Sequence, residues 1–230
     1  MKPIQQLIDE ALKTEQGAPR KRSGKFSPSS FGKCFRAQVW NRANEPKTDE
    51  PQERLLRVFK AGKLFHDFVH GVIVKENPSI KTEVLVAVDD DIVGYADVVN
   101  GETVIDLKTV HSGAFHWMTK EGDISESKKP NILQVMYYTR ALGKKQATLC
   151  FISKDDLCLQ EYTFILNDKW KKELDYELSE LRKAWAAFPI LPEAKPRAYK
   201  DKKGGFKECQ YCSWKTACEI VQNREKEIAK

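Results

Sequence analysis

Apolar residues alternate with polar ones in short runs through the middle of the chain, and recur every three or four positions on either side of it. The first pattern belongs to half-buried strands and the second to amphipathic helices. Strands are therefore expected over residues 81–88, 92–99 and from Glu102 to Lys108, then over 146–153 and 158–166. Asp89-Asp90-Asp91 reads as a turn between the first two. Helices are expected over 3–13, with Ile4, Leu7, Ile8 and Leu12 on one stripe, and over 53–75, with Leu55, Phe59, Gly62, His66 and Val69 facing inward. Two more follow over 131–142 and from the N-cap Asn167 to Phe188, the last carrying Trp170, Leu174, Leu178, Leu181 and Trp185. Near the start, FSPSSFGKCFRAQVW predicts a helix capped by Ser27 or Ser29, with Pro28 in its first turn and Phe31, Cys34 and Phe35 inward. Residues 43–52 and 111–130 read as polar loops, the longer of them a candidate lid. This order gives an α/β fold with a mixed central sheet flanked by helices.

The most informative turn is Asn100-Gly101, because a two-residue hairpin bend favours this pair. A bend there sets Asp97 opposite Val104 and puts Asp97, Val104, Asp106 and Lys108 on one face. Asp97 and Asp106 are then diagonal neighbours about 7 Å apart, able to share one cation, with Lys108 beside it. A hairpin with one solvated face is the plainer reading. Apolar residues on both sides of Asp106 argue instead for burial on both faces, where a carboxylate needs a partner. Two carboxylates would hold Mg²⁺ or Mn²⁺, and the ion with a lysine supports phosphodiester hydrolysis. On the helix over 53–75, His66 reads as a core histidine, and His66 with His70 as half a zinc site without an acidic partner. Glu83 is a reserve acidic candidate, and Gln134 with Tyr138 form an i, i+4 pair on a half-buried helix.

Composition bounds these readings. At 230 residues, 41% hydrophobic and 31% charged, the chain fits a single globular domain. No apolar run approaches the ~20 residues of a membrane span, and the acid-containing N-terminus is unlike a secretory signal, so a cytoplasmic setting is expected. Reduced thiols follow, and the six cysteines do not read as a disulfide framework. Net charge is +6, with clusters at Arg20-Lys21-Arg22 and Lys25, Lys128-Lys129, Lys144-Lys145, and Lys200 with Lys202-Lys203. Each alone is an ordinary solvated group; together with a metal site they suggest a phosphate-backbone track. Cys150 and Cys158, inside apolar strands, read as inert core residues. Cys209, Cys212 and Cys218 have the C-x2-C-x5-C spacing of a metal site, leaving a fourth position for which Cys34 is the candidate and zinc the plain occupant.

The chain resembles the RecB-like exonuclease branch of the PD-(D/E)xK nuclease superfamily. The matching elements are Gly62 to His66 for G-x-x-x-H, Gly94 to Asp97 for G-x-x-D, Ile105-Asp106-Leu107-Lys108-Thr109 for I-D-x-K-T, and Gln134 to Tyr138 for Q-x-x-x-Y. Cys34 with the three C-terminal cysteines resembles the iron-sulfur members, which include the CRISPR-associated adaptation exonuclease and AddB-type nucleases. The resemblance implies a restriction-endonuclease-like core over 53–188 within one nuclease domain over 1–230, and a helical cluster-binding region formed by 26–42 and 189–220. It implies His66, Asp97, Asp106 and the Leu107 carbonyl as ligands of Mg²⁺ or Mn²⁺, and Asp97, Asp106 and Lys108 as the catalytic set. Gln134 and Tyr138 would contact the substrate strand, and Cys34, Cys209, Cys212 and Cys218 would hold a 4Fe-4S cluster. The implied activity is DNA exonuclease action on single strands or duplex ends, in phage or cellular recombination, repair or CRISPR adaptation, with proteins of such pathways, or of replication, as partners. A non-catalytic iron-sulfur or zinc-stapled DNA-binding adaptor is the alternative.

Overall fold

A computed structural model describes residues 2–17, 22–199 and 206–228. The basic residues Arg20, Lys21, Lys200, Lys202 and Lys203 lie outside the described residues. One five-stranded mixed sheet organises the molecule in the order β1-β2-β3-β4-β5, formed by Lys81–Val86, Gly94–Asn100, Thr103–Val110, Gln146–Ser153 and Leu159–Ile165. Every neighbouring pair is antiparallel except β3 and β4, which run parallel from Thr103/Gln146 to Val110/Ser153. A parallel pair needs a long crossover, and residues 111–145 supply it. The polar stretch read there as a loop contains a helix, α4 (Ser112–Glu121), before α5 (Lys129–Ala141). Its start was hidden because His111 acts as the N-cap, its ring accepting from the Ala114 amide, an unusual residue in that role.

α5 is the spine of one layer. Its residues from Ile132 to Thr139 are all buried, because the sheet lies on one side of it and α6 (Asp168–Ala186) and the 3₁₀ turn at Pro28–Ser30 on others. Val104, Ala147, Leu149 and Phe151 pack against this layer, while Val98, Leu107, Cys150 and Ile152 pack on the opposite face against Phe65, Val69 and Ile73 of α3 (Glu53–Glu76). The inward stripe of α3 thus runs through Phe65 and Ile73, and Phe59 is 52% exposed rather than buried. The N-terminal helix α1 (Ile4–Gly17) lies on α3, its Leu12 buried and its Ile4, Leu7 and Ile8 exposed. Asn167 caps α6 as expected, accepting from the Trp170 amide at 3.2 Å.

The helix expected around Cys34 is divided. Pro28–Ser30 forms one 3₁₀ turn, Gly32 takes φ +72°, and α2 (Phe35–Arg42) starts afresh with Cys34 as N-cap. Cys158 is exposed at the start of β5, while Cys150 is buried as expected. Beyond α6 the chain passes through a short 3₁₀ turn at Glu208–Tyr211 into α7 (Lys215–Ile228). Among the described residues no helix is long and apolar enough to cross a membrane.

Candidate active site

The hairpin bend lies one residue later than Asn100-Gly101. Asn100 pairs with Thr103, so Gly101 and Glu102 are the central positions, and Gly101 carries the positive φ of +54°. This suits a turn with glycine in its first central place. The slip moves each partner by two positions, so side chains along the paired stretch keep their faces, and Asp97 and Asp106 lie one residue beyond its last pair, Val98/Ile105.

The β2/β3 ladder stops at Val98/Ile105, whereas β3 stays paired to β4 along its whole length. The sheet therefore forks, and Asp97 and Asp106 are the first residue past the ladder on each prong. Asp97 bridges the fork with its side chain: Oδ2 accepts from the Leu107 amide at 2.8 Å, in place of the missing backbone acceptor. Asp106 is 1% exposed. The ammonium of Lys108 lies 2.6 Å from its Oδ2 as a buried ion pair, and Asp106 Oδ1 is buried without a hydrogen-bond partner among the described residues.

Electrostatics follow from this burial. Desolvation pushes the Asp106 carboxyl up to about 6, opposed by Lys108 and reinforced by Asp97. Asp97 is raised by burial too, with Lys108 and the Leu107 amide pulling the other way. Burial alone would lower the Lys108 ammonium, but Asp106 and Asp97 outweigh it and hold it above the ordinary lysine value. His66 is lowered, first by burial and then by Lys108 and His70, so its imidazole is neutral near pH 7 and its ring nitrogens include a free acceptor.

Each remaining motif residue has a geometric reason. Gly62 lets α3 cross β3 closely, since a Cβ there would meet Thr109 Oγ1 at 3.3 Å; one turn later His66 comes within electrostatic reach of Asp106 and Lys108. Gly94 makes room for Tyr138, whose hydroxyl would lie 2.5 Å from a Cβ at that position. Tyr138 and Gln134 are only 2% and 8% exposed, and the Tyr138 phenol is raised by burial first and then by the charge of Asp106. Both side chains thus underlie the acidic pair from the α5 layer. On the α3 side a cavity of about 580 Å³ is bordered by Gly62, His66, His70, Glu83, Thr109 and Lys154.

Glu83, which the sequence offers only as a reserve acid, borders the same cavity. Thr82 pairs with Val98 and Val84 with Ala96, so Glu83 stands opposite Asp97 across β1/β2. Its φ of +50° is a backbone state that no sequence pattern announces.

Of the basic clusters, Lys128 is folded over the Phe151 ring and Lys129 is paired with Glu173 at 2.9 Å, so neither forms a free track. Cys34, from the early part of the chain, and Cys209, Cys212 and Cys218, from its end, lie close enough to act on one another's charge. Cys212 is pushed up to about 11, first by burial and then by Cys34, Cys209 and Cys218; Cys209 is raised by burial, then by Glu208, Cys34 and Cys218. Arg36, 1% exposed, donates to Pro192 O and Glu225 Oε1, leaving its buried Nη1 without a partner, and its charge opposes the burial that raises Cys218. Among the described residues no three His, Cys, Asp or Glu side chains stand in a geometry that could hold a metal ion. At the acidic pair the counter-charge comes from Lys108.

The fold is one shared with solved exonucleases. The crystal structure of an alkaline exonuclease, LHK-Exo, from Laribacter hongkongensis matches with TM-score 0.51 at 13% identity, over 78% of this chain and 96% of its own. LHK-Exo in complex with dAMP matches with TM-score 0.53 at 16% identity, over 72% and 90%. A crystal structure described as SSO0001 matches with TM-score 0.59 at 17% identity, over 94% and 96%. No family model and no curated protein matches the chain.

Proposed function

We propose that this protein is a divalent-metal-dependent DNA exonuclease of the RecB-like PD-(D/E)xK type. The observation that carries the reading is the Asp106 carboxylate: 1% exposed, in a sheet fork beside Asp97, paired with Lys108 through Oδ2 and with its Oδ1 buried without a partner. Two buried carboxylates beside one ammonium leave negative charge that a hard cation offsets. Asp97, Asp106, His66 and the Leu107 carbonyl would hold Mg²⁺ or Mn²⁺. Bound there, the ion would polarise a phosphoryl oxygen and lower the pKa of a coordinated water.

The chain's own groups have separable tasks. Lys108 gives up part of its hold on Asp106 and places its ammonium against the scissile phosphate, where negative charge grows. Asp97, fixed by the Leu107 amide, keeps one oxygen oriented into the fork. Gln134 and Tyr138 support the site from beneath, the amide of Gln134 being the group that would reach toward a nucleotide. The exonuclease fold of LHK-Exo, solved with dAMP, supports DNA as the substrate class.

The cysteine set is read as a structural centre, a 4Fe-4S cluster in preference to zinc, held by Cys34, Cys209, Cys212 and Cys218. Arg36 supports it, since a buried guanidinium beside Cys218 favours an anionic centre over a neutral thiol. Recombination, repair and CRISPR adaptation, with partner proteins from those or replication complexes, are the settings that fit such an enzyme.

The test is digestion of end-labelled single- and double-stranded DNA, with free and blocked ends, in Mg²⁺ or Mn²⁺. Asp106→Ala and Lys108→Ala are expected to lower the rate by at least about 10²-fold with the fold intact. Wild-type rates in either variant would refute the mechanism.

A further inference from the structure

Three strands place three acids in one row. Glu83 lies across from Asp97, between the pairs Thr82/Val98 and Val84/Ala96, and Asp97 and Asp106 are the first residues past the Val98/Ile105 end of the β2/β3 ladder. The row of acids thus runs along the fork and ends at the α3 cavity. Glu83 borders that cavity together with His66 and His70.

The row is bought with backbone strain. Among the described residues Glu83 is the one non-glycine inside a strand with positive φ, at +50°. An L-residue visits this region at a cost, and strain of this kind persists where surrounding structure enforces it. It has a visible effect. Val84 and Ala96 pack in the α5 layer whereas Val98, opposite Thr82, packs in the α3 layer, so both strands change faces at Glu83 and Asp97. Regular alternation would keep residues two apart on one face. The turn of the backbone brings Glu83 Oε1 to 3.8 Å from His70 Nδ1, a loose contact, while His70 Nε2 is buried without a partner. Glu83 remains 60% exposed and, apart from that loose contact with His70, its carboxylate has no partner among the described residues.

We propose that Glu83 is a further cation-positioning residue of this site: its carboxylate extends the Asp97/Asp106 pair toward the α3 cavity and binds the divalent ion directly or through a coordinated water. This rests on the metal-dependent reading above. It assigns to β1 an acid that the motif elements on β2, β3 and α3 do not include.

The test is calorimetric titration of Mn²⁺ into the full chain, alongside denaturation of the metal-free protein, for wild type, Glu83→Gln, Glu83→Gly and Asp106→Asn. Glu83→Gln is expected to weaken Mn²⁺ binding about 10- to 100-fold without moving the metal-free midpoint. Glu83→Gly is expected to weaken binding equally and to raise the midpoint, because glycine adopts positive φ without strain. Asp106→Asn should remove binding. If Asp106→Asn loses the ion and Glu83→Gln binds it as wild type does, the proposal for Glu83 fails alone. If Glu83→Gln shifts the metal-free midpoint but not the affinity, Glu83 is a structural partner of His70 and the proposal also fails. If all four proteins bind Mn²⁺ alike, the metal-dependent reading itself falls.

Discussion

Asp106 owes its character to position more than to its own chemistry. Any carboxylate 1% exposed between Lys108 and a second acid has its proton affinity raised and its oxygens short of donors. Mn²⁺ should therefore raise the thermal midpoint of the wild type, by binding the folded state, and leave Asp106→Asn unmoved in a melting assay. Gly94 makes a second case at this scale. A methyl group there would meet the Tyr138 hydroxyl at 2.5 Å, so Gly94→Ala is expected to cost roughly 1–3 kcal/mol of stability by urea denaturation. Tyr138→Phe removes the clashing oxygen, and the double variant should recover part of the loss, a coupling that two independent sites would not show. The acids, the lysine, Gly62 and Gly94 were all visible in the sequence because each sits at a short fixed spacing from another. Glu83 stood out only as a reserve acid, because a strained φ and a cross-strand register have no short-range signature.

At the level of elements, what the sequence concealed is how strands part. Alternation placed β2 and β3 nearly correctly, and parity kept the paired residues from Val98 to Asn100 on their expected faces when the bend moved by one residue. Nothing local could announce that the ladder ends at Val98/Ile105, since that end is set by β4 holding β3 and by Asp97 taking the Leu107 amide. The split of the helix around Cys34 was likewise decided by tertiary fit: a Cβ at Gly32 would meet the Pro130 backbone at 3.0 Å. The turn before β2 is fastened to α6 by Asp91, which receives Arg182 at 3.0 Å, with Arg42 nearby at 3.8 Å. The hydrogen bond from Arg182 holds the Asp91 carboxyl below the usual aspartate range. A depressed native value means that this link stabilises above the unfolded value of about 4 and is lost as pH falls through the native one. Asp91→Asn should thus destabilise the protein near neutral pH, and the gap to wild type should close in acid, as followed by pH-dependent chemical denaturation.

Across the whole molecule, buried carboxylates tie residues 26–42 to the C-terminal region, beside the cysteines proposed to hold a cluster there. Glu177 of α6, fully buried, takes the Gly32 amide at 2.9 Å and Arg197 at 2.6 Å. Glu208 takes the amides of Cys34, Arg197 and Ala198 at 2.6, 2.7 and 2.9 Å. Arg36 reaches Glu225 of α7, and Trp40 packs on Trp214. Removing one partner of a buried ion pair is costly, so Glu177→Ala is expected to lose about 3–5 kcal/mol in equilibrium unfolding. Cys212→Ser should leave the α/β core folded by circular dichroism, with any loss of order confined by hydrogen exchange to α7 and its neighbours.

The most direct test of the account is anomalous X-ray diffraction at the manganese edge, from crystals grown with Mn²⁺ and a single-stranded oligonucleotide. An ion is predicted in the fork, about 2.0–2.2 Å from carboxylate oxygens of both Asp97 and Asp106, with Lys108 turned from Asp106 toward a phosphate. Saturating Mn²⁺ with no anomalous peak between those two acids, and Lys108 still seated on Asp106, would contradict it.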